Sequence, residues 1–142
     1  MNLQKNLFIK ILNMNYYISK ILKNLSYDEA LVKVKEELQK EGFGVLTEID
    51  VKDTLKNKIN VDFKRYKILG ACNPHLAYEA LQSEDKIGAL LPCNVIVEEH
   101  ENGEIEVSAI DPIPTMGILD NPDVKGVATT AQDKLSRVIK NM

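Results

Sequence analysis

The spacing of hydrophobic positions predicts an alternation of strands and helices along the chain. Strand-like apolar residues occupy about 15–22, and Ser26 with Glu29 three residues later forms a capping box that begins a helix. Apolar positions then recur at helical spacing as far as Gly42, where a left-handed residue can end the helix. From 43 to 50 every second residue is apolar, which is typical of a half-buried strand. The residues assigned to one face of this strand are Phe43, Val45, Thr47 and Ile49.

The second half of the chain continues this alternation and includes a hairpin. Asn102-Gly103 is a strong hairpin signal that suits a type I′ turn, so the flanking strands should pair antiparallel. The apolar run over 87–97 predicts a largely buried strand with a local break at Pro92. The other predicted elements are a short helix over 53–58, a strand over 66–72, a helix begun by Asn73-Pro74, strands over 90–99 and 104–110, and a last helix from Asn121-Pro122.

This order of elements predicts the fold class. The length of 142 residues suits one domain. The order β-α-β-α-β-α-β-β-α combines a late antiparallel hairpin with helices that would cover one face of a sheet, so we expect a two-layer α+β domain over 14–142. Residues 1–13 are expected to be an N-terminal extension, because Met14 stands directly before the first strand; a start at Met1 or at Met14 stays open.

Composition and charge narrow the range of partners and compartments. The net charge is −3, the sequence pI is near 5.4 and there is no Trp, so the chain lacks the basic surface typical of nucleic-acid binding. No uncharged stretch approaches the ~18–20 residues of a membrane span. Two cysteines cannot form a disulfide framework and no signal-peptide cleavage site is evident, so we expect a cytoplasmic protein with free thiols.

The common catalytic motifs are missing, but a Cys-Asn dipeptide occurs twice. Cys72-Asn73 lies at the end of one predicted strand and Cys93-Asn94 lies in the next, although Asn is poorly suited to a strand interior. One interpretation places both thiols in one pocket, with Asn73 and the first amides of the following helix at its rim. The other treats both thiols as small buried core groups and Asn73 as a helix cap. Both interpretations stay open.

Other polar residues are weaker candidates. Because His75 lies three residues after Cys72, the set Cys72, His75 and Cys93 could bind a soft metal, although the paired spacings of structural zinc are missing. Asp111 ends the strand that pairs with the one carrying Cys93, where it could orient a substrate, act as a base or cap a turn. The glutamates of the hairpin are expected to form a solvated edge. They are Glu98, Glu99, Glu101, Glu104 and Glu106.

Four segments in sequence order carry a family resemblance: GFGVLTEID (42–50), YKILGACNP (66–74), LLPCNV (90–95) and AIDP (109–112). With them, about 15–140 resembles the bacterial and archaeal domain of unknown function 302 family. The resemblance implies a TATA-binding-protein-like β-α-β4-α arrangement with a curved, mostly antiparallel sheet, and a homodimer. It implies neither a reaction nor DNA binding. Helices over 51–59 and 74–81 would be short insertions. The pocket positions that it implies are Glu48, Cys72, Asn73, Cys93, Asn94 and Asp111.

Two classes of function stay open. The first is a dimeric binding module that holds a small ligand or a soft metal near the two Cys-Asn sites. The second is a thiol-dependent enzyme or redox protein that uses Cys72; the lack of a general base at a recognisable spacing favours the module. The sequence does not identify a cofactor. Because strand ends present side chains to ligands, we expect Cys72, Asn73, Cys93 and Asp111 to converge on one concavity with Glu48 at its edge.

Overall fold

The predicted strands and helices occur in the predicted order in the computed structural model, which describes residues 16–142 and adds a 3₁₀ helix and a short α-helix. Its elements are β1 (Tyr17–Leu22), α1 (Tyr27–Lys40), β2 (Gly44–Asp50), α2 (Val51–Ile59), β3 (Tyr66–Cys72), α3 (Pro74–Ser83), a 3₁₀ helix (Asp85–Leu90), β4 (Cys93–Glu99), β5 (Ile105–Ile110), α4 (Pro112–Met116) and α5 (Pro122–Lys140). The predicted extension 1–13 lies outside the described residues.

The five described strands form one antiparallel sheet in the order β1-β5-β4-β3-β2. The predicted hairpin pairing of β4 with β5 is confirmed. The strands β2 to β5 follow one another as a meander, and β1 joins the free edge of β5. With α1 after β1 and α5 at the end, this is a β-α-β4-α arrangement to which α2, α3 and α4 are added. The predicted two-layer α+β class is confirmed.

The sheet has one covered face and one partly exposed face. Helices α1 and α5 pack on the covered face, where Val95, Val97, Val107 and Ala109 are fully buried. We call the opposite side the open face, since Ile21 on β1 and Ile49 on β2 are each 47% exposed there. The open face is formed by Tyr17, Ser19, Ile21, Thr47, Ile49, Tyr66, Ile68, Gly70, Asn94, Ile96, Glu98, Glu106, Ser108 and Ile110.

The helix signals of the sequence are confirmed at α1 and α3. At α1 the amide of Glu29 donates to Ser26 Oγ at 3.1 Å, and the amide of Ser26 donates to Glu29 Oε1 at 3.2 Å, which completes the capping box. Gly42 follows the helix with φ +83°, a left-handed conformation that glycine adopts without strain. At α3, Asn73 is the cap and Pro74 is the first helical residue.

Strand β2 departs from strict alternation at Leu46. Val45 pairs with Ala71 and Thr47 pairs with Gly70, so Leu46 is an inserted residue that forms a β-bulge. Because Ala71 lies on the covered face and Gly70 on the open face, Val45 and Thr47 lie on opposite faces. Their predicted placement on one face is wrong, since a period of two leaves no room for an inserted residue.

The segment before β4 also differs from its prediction. Residues 85–90 form a 3₁₀ helix, and the strand begins only at Cys93. An apolar run alone does not distinguish a buried strand from a buried helical turn. Here Gly88 and Pro92 interrupt the run, and both residue types are depleted in strands.

The turn between β4 and β5 is not of type I′. A type I′ turn needs positive φ at both central residues, whereas Gly103 has φ +85° and Asn102 has no positive φ. The amide of Gly103 donates to the carbonyl of His100 at 2.9 Å, and the amide of His100 donates to the carbonyl of Glu104 at 2.8 Å. This pattern is that of a turn followed by a left-handed glycine, which makes the loop longer by one residue.

That extra residue changes the register of the hairpin. Glu98 is paired with Glu106, whereas a two-residue turn at Asn102-Gly103 would have paired Glu98 with Val107. Turn type sets which side chains face each other across a hairpin.

The apolar interior consists of two clusters. The larger lies between the sheet and helices α1 and α5. The smaller joins α3, the 3₁₀ helix, α4 and the first half of α5, through Ala80, Ile87, Met116, Val124, Val127 and Ala128. Across residues 16–142, no helix is both long and apolar enough to cross a membrane.

Candidate functional site

A cavity of about 290 Å³ lies where β3 ends and β4 begins, between the two apolar clusters. We call it the thiol cavity, because both cysteines line it. Phe43, Ala71 and Cys93 belong to the larger cluster, whereas Ala80 and Met116 belong to the smaller one. The remaining lining residues are Leu46, Thr47, Cys72, Asn73, Leu76, Ala77, Leu91, Pro92, Val127 and Ala131.

Cys72 and Asn73 reach the cavity because β3 stops there and α3 begins. Cys72 is the last residue of β3 and is half-buried. Asn73 Oδ1 accepts a hydrogen bond from the amide of Leu76 at 3.3 Å, as expected for a helix cap. Its Nδ2 donates to the carbonyl of Glu41 at 3.4 Å, which ties the start of α3 to the loop after α1. Asn73 therefore holds the rim of the cavity in place.

Cys93 is the more deeply buried of the two thiols. It begins β4 opposite Ala71, and 8% of its surface is exposed. Burial raises the pKa of the Cys93 thiol to about 11, and the neighbouring Cys72 adds to this shift. Because a thiol protonated at neutral pH is a weak nucleophile, Cys93 has the properties of a packing or contact residue.

The bulge in β2 supplies one wall of the cavity. Leu46 and Thr47, at and after the bulge, both line it. A Cβ at Gly70 would collide with Thr47 Oγ1 and lie 2.9 Å from Pro92 Cγ, so a larger residue would force a shift where β2, β3 and the start of β4 approach one another.

The lining of the thiol cavity is almost entirely apolar. Thr47, Asn73 and the two thiols are its polar side chains, and the lining from the described part of the chain includes no His, Asp, Glu, Lys or Arg. Such a cavity can hold an apolar molecule with a few hydrogen bonds at one end. Its own walls offer no carboxylate or imidazole base to either thiol.

Asp111 does not belong to this cavity, which corrects the prediction of a convergence. Its Oδ1 accepts from the amide of Ile113 at 3.0 Å and caps α4, a short helix that the sequence did not predict. Gln132 Nε2 donates to both carboxylate oxygens, at 3.2 and 3.0 Å. The alternative interpretation of Asp111 as a turn cap is therefore the one that the geometry supports.

Glu48 and Asn94 also lie away from the cavity. Glu48 pairs with Leu69 on the covered face and forms an ion pair with Lys35 of α1, which holds the pKa of its carboxyl below the usual value. Asn94 points to the open face because it is next to Cys93 in a strand, and successive residues face opposite sides. Only one Asn of the two Cys-Asn dipeptides therefore shares a site with the thiols.

The predicted soft-metal set is not assembled. Among the described residues, the only three metal-ligating side chains of the His, Cys, Asp and Glu types that gather within 4.8 Å are Glu98, His100 and Glu106. His75 is an exposed residue in the first turn of α3, so it does not join Cys72 and Cys93. A spacing of three residues across a strand end and a helix start does not fix the direction of a side chain.

A second concavity, which was not predicted from the sequence, lies on the open face. It measures about 380 Å³ and is lined by tyrosines, isoleucines and two glutamates, including Tyr16, Tyr66, Ile96, Glu98 and Glu106. The expectation that all the hairpin glutamates form a solvated edge is wrong for this pair, because only 13% of the Glu98 side chain and 22% of the Glu106 side chain are exposed. The correct hairpin register would have indicated this pair, because it places Glu98 directly opposite Glu106.

The fold and the thiol cavity define a small α+β domain with one largely apolar, ligand-sized site. The sequence profile of the domain of unknown function DUF302 matches residues 18–142, so the chain belongs to this family. A crystal structure of an uncharacterised conserved DUF302 protein from Bacillus stearothermophilus is similar, with a TM-score of 0.81 and 28% sequence identity over 88% of this chain and 96% of that chain. No curated protein matches the chain.

Proposed function

We propose that the protein is a dimeric binding module that holds a small, largely apolar ligand in the thiol cavity. The observation that carries the proposal is the cavity itself, an opening of about 290 Å³ lined by apolar side chains. Ligand pockets of about 300–1,000 Å³ with a few polar groups are typical of small-molecule sites. The thiol cavity is at the lower limit of that range, which favours a ligand smaller than most cofactors.

The polar groups of the cavity indicate how such a ligand would be oriented. Thr47, Cys72 and Asn73 lie on the side where β2 and β3 meet α3, whereas Val127 and Ala131 come from α5 on the other side. A ligand with one hydrogen-bonding end would place that end toward Thr47 and Cys72. Its apolar body would then displace water from contact with the helices, which is the main favourable term in such binding.

A soft metal is the second ligand class, because three sulfur-containing side chains line the same cavity. Thioether and thiolate groups are the donors that Cu(I) prefers, and Met116 adds a thioether to the thiols of Cys72 and Cys93. Binding would require each coordinating thiol to lose its proton, which is unfavourable for Cys93 because its pKa is raised. An apolar molecule therefore fits the cavity better than a metal.

The alternative of a thiol-dependent enzyme or redox protein applies to Cys72 alone. The half-buried Cys72 adjoins the start of α3, whereas the raised pKa of Cys93 opposes ionisation. The described lining offers Cys72 no base, so binding is favoured over covalent catalysis.

Cavity filling tests the proposal directly. Indole is titrated into the full chain by calorimetry, with Ala77→Leu as the filling variant and Ala89→Leu, at an exposed position of the 3₁₀ helix, as its matched control. We expect indole to bind the natural sequence and Ala89→Leu, and Ala77→Leu to lose at least tenfold in affinity. Equal affinity for all three proteins, or no binding to any, contradicts the proposal.

A second titration separates the ligand classes. Cu(I) binding that is lost equally in Cys72→Ser and Cys93→Ser would indicate a joint metal site, whereas rapid alkylation of Cys72 by iodoacetamide well below the ordinary thiol pKa of ~8.5 would indicate the activated thiol that an enzyme requires. An apolar ligand site predicts that neither substitution lowers indole affinity more than a few-fold.

The homodimer and a cytoplasmic location belong to the same proposal. The open face offers partly exposed Tyr17, Ile21 and Ile49 to a second copy of the chain, and twofold dimers are the commonest assembly. Both cysteines are free thiols, as expected in a reducing compartment. The glutamates on the open face disfavour a nucleic-acid ligand there.

A further inference from the structure

Three ligand-type side chains meet on the open face beside the turn of the β4–β5 hairpin. Glu98 lies directly opposite Glu106, and His100 follows Glu98 by two residues on the same side of the chain. His100 Nε2 is 2.8 Å from Glu106 Oε1 and 4.0 Å from Glu98 Oε1. All three ligand atoms lie within 4.8 Å of one another. We call these residues the carboxylate–histidine cluster.

The two carboxylates of this cluster need a positive charge nearby. Like charges directly opposite in an antiparallel pair destabilise it, and here both side chains are largely buried. Lys64 Nζ lies 2.7 Å from Glu98 Oε1 and balances one charge. Ser19 donates a hydrogen bond to Glu106. Lys64 is the only Lys or Arg among the described residues that lies within 4.0 Å of either carboxylate, so one of the two carboxylates has no fixed positive charge beside it.

The spacing of the donor atoms suits a divalent ion. Zinc binds imidazole nitrogen and carboxylate oxygen at about 2.0–2.2 Å, so donors in a tetrahedral site lie about 3.3 Å apart. The observed separations of 2.8 and 4.0 Å bracket that value, and small side-chain rotations would equalise them. An imidazole among the ligands favours zinc and similar ions over magnesium and calcium.

We propose that Glu98, His100 and Glu106 form a binding site for a first-row divalent cation such as Zn²⁺, with Lys64 leaving Glu98 when the ion binds. The site is separate from the thiol cavity and does not depend on the proposed apolar ligand. Two carboxylates neutralise the ion, and three protein ligands leave a coordination position open to water or to another molecule in the adjoining concavity.

The competing explanation is that an imidazolium balances the charges without a metal. In that case His100 and Lys64 together neutralise the two glutamates, and no Zn²⁺ site exists. The two explanations differ most at Lys64. A metal site predicts that Lys64→Met strengthens Zn²⁺ binding by removing a competitor for Glu98, whereas a purely protein ion-pair network predicts no Zn²⁺ binding in any variant.

The test is calorimetric titration of Zn²⁺ into the chelator-treated full chain. We expect one equivalent of Zn²⁺ per chain for the natural sequence. Residues that only orient a metal ligand change affinity by about 10–100-fold, so Glu106→Gln and His100→Gln should each lose at least about tenfold. Glu101→Gln, on the same hairpin but outside the cluster, is the matched control and should bind as the natural sequence does.

The Cys72→Ser/Cys93→Ser double variant separates this site from the thiols. Unchanged Zn²⁺ binding in this double variant, with loss in His100→Gln, supports the proposal. Loss in the double variant but not in His100→Gln assigns the zinc to the thiol cavity and overturns it, as does the absence of binding to the natural sequence. Far-ultraviolet circular dichroism of each variant identifies any that fails to fold, and Glu98→Gln then replaces that variant.

Discussion

The buried thiol of Cys93 makes the stability of the folded protein depend on pH. Its thiol has a pKa raised from an ordinary 9.0 to about 11 by burial, so between these values the unfolded chain has lost the proton while the folded chain keeps it. The unfolded state binds fewer protons, and stability therefore falls as pH rises through this window. The full effect is roughly 2–3 kcal/mol, at about 1.4 kcal/mol for each pKa unit.

We predict that the stability of Cys93→Ala falls less steeply with rising pH than that of the natural sequence. Urea unfolding at pH 8, 9, 10 and 11 should show a steeper decline for the natural sequence than for Cys93→Ala. Burial also raises the pKa of Tyr27 to about 12, so Tyr27 likewise makes stability fall as the pH rises. Because Tyr27 is present in both proteins, its contribution cancels in the comparison. Parallel pH curves for the two proteins would contradict the assignment.

At the scale of elements, the packing of β2, β3 and the start of β4 depends on Gly70. An added Cβ would meet Thr47 Oγ1 and Pro92 Cγ, and overpacking a well-filled interior costs about 1–3 kcal/mol. We therefore expect Gly70→Ala to lower the free energy of unfolding by that amount. Gly44→Ala in β2 is the control, because a Cβ there meets nothing within 4 Å. An unfolding free energy of Gly70→Ala within about 0.5 kcal/mol of that of Gly44→Ala would contradict this account.

The longer helices could be predicted from the sequence, whereas the β-bulge and the type of the hairpin turn could not. Capping and proline signals predicted α1, α3 and α5 because they act within a few residues. The bulge at Leu46 and the hairpin turn depend on which strand lies opposite, which no local pattern contains. The wrong turn type also affected the site prediction. A type I′ turn shifts the strand register by one residue, so the pairing of Glu98 with Glu106 was not predicted.

The same distinction between local and distant contacts explains the candidate site. Cys72 and Asn73 could be predicted to line a site because they lie where a strand ends, whereas Cys93, which was expected inside a strand, begins β4. Met116 and Ala131 could not be predicted, because their helical spacing indicates only that they face an interior. Asp111 was misplaced because α4 and Gln132 engage its carboxylate, and neither contact is visible in the sequence.

At the scale of the whole molecule, the thiol cavity is a consequence of how the interior is divided. The larger cluster fills the space under the sheet and the smaller one joins α3, α4 and α5. Because α5 contributes to both clusters, it holds them at a fixed separation and the cavity lies between them. A ligand bound there would contact both clusters, so binding should raise the stability of the whole domain by mass action.

The open face leads to the last prediction, which concerns assembly. Ile21 and Ile49 lie near opposite edges of the sheet and are each 47% exposed, so a second copy that packs on this face would bury both. A glutamate at either of these apolar positions would have to be desolvated in the dimer without a partner, which is strongly unfavourable. Ile118→Glu is the matched control, because Ile118 is 76% exposed and lies between α4 and α5, outside the open face.

We expect the natural sequence and Ile118→Glu to sediment at twice the chain mass of 16.0 kDa, and Ile21→Glu and Ile49→Glu to sediment as single chains. Analytical ultracentrifugation over a range of concentrations measures both species. A natural sequence that sediments at 16.0 kDa at all concentrations would remove the dimer from the proposed function. A dimer that persists in both open-face variants would place the interface elsewhere, and the open face would then stay accessible to a ligand of the carboxylate–histidine cluster.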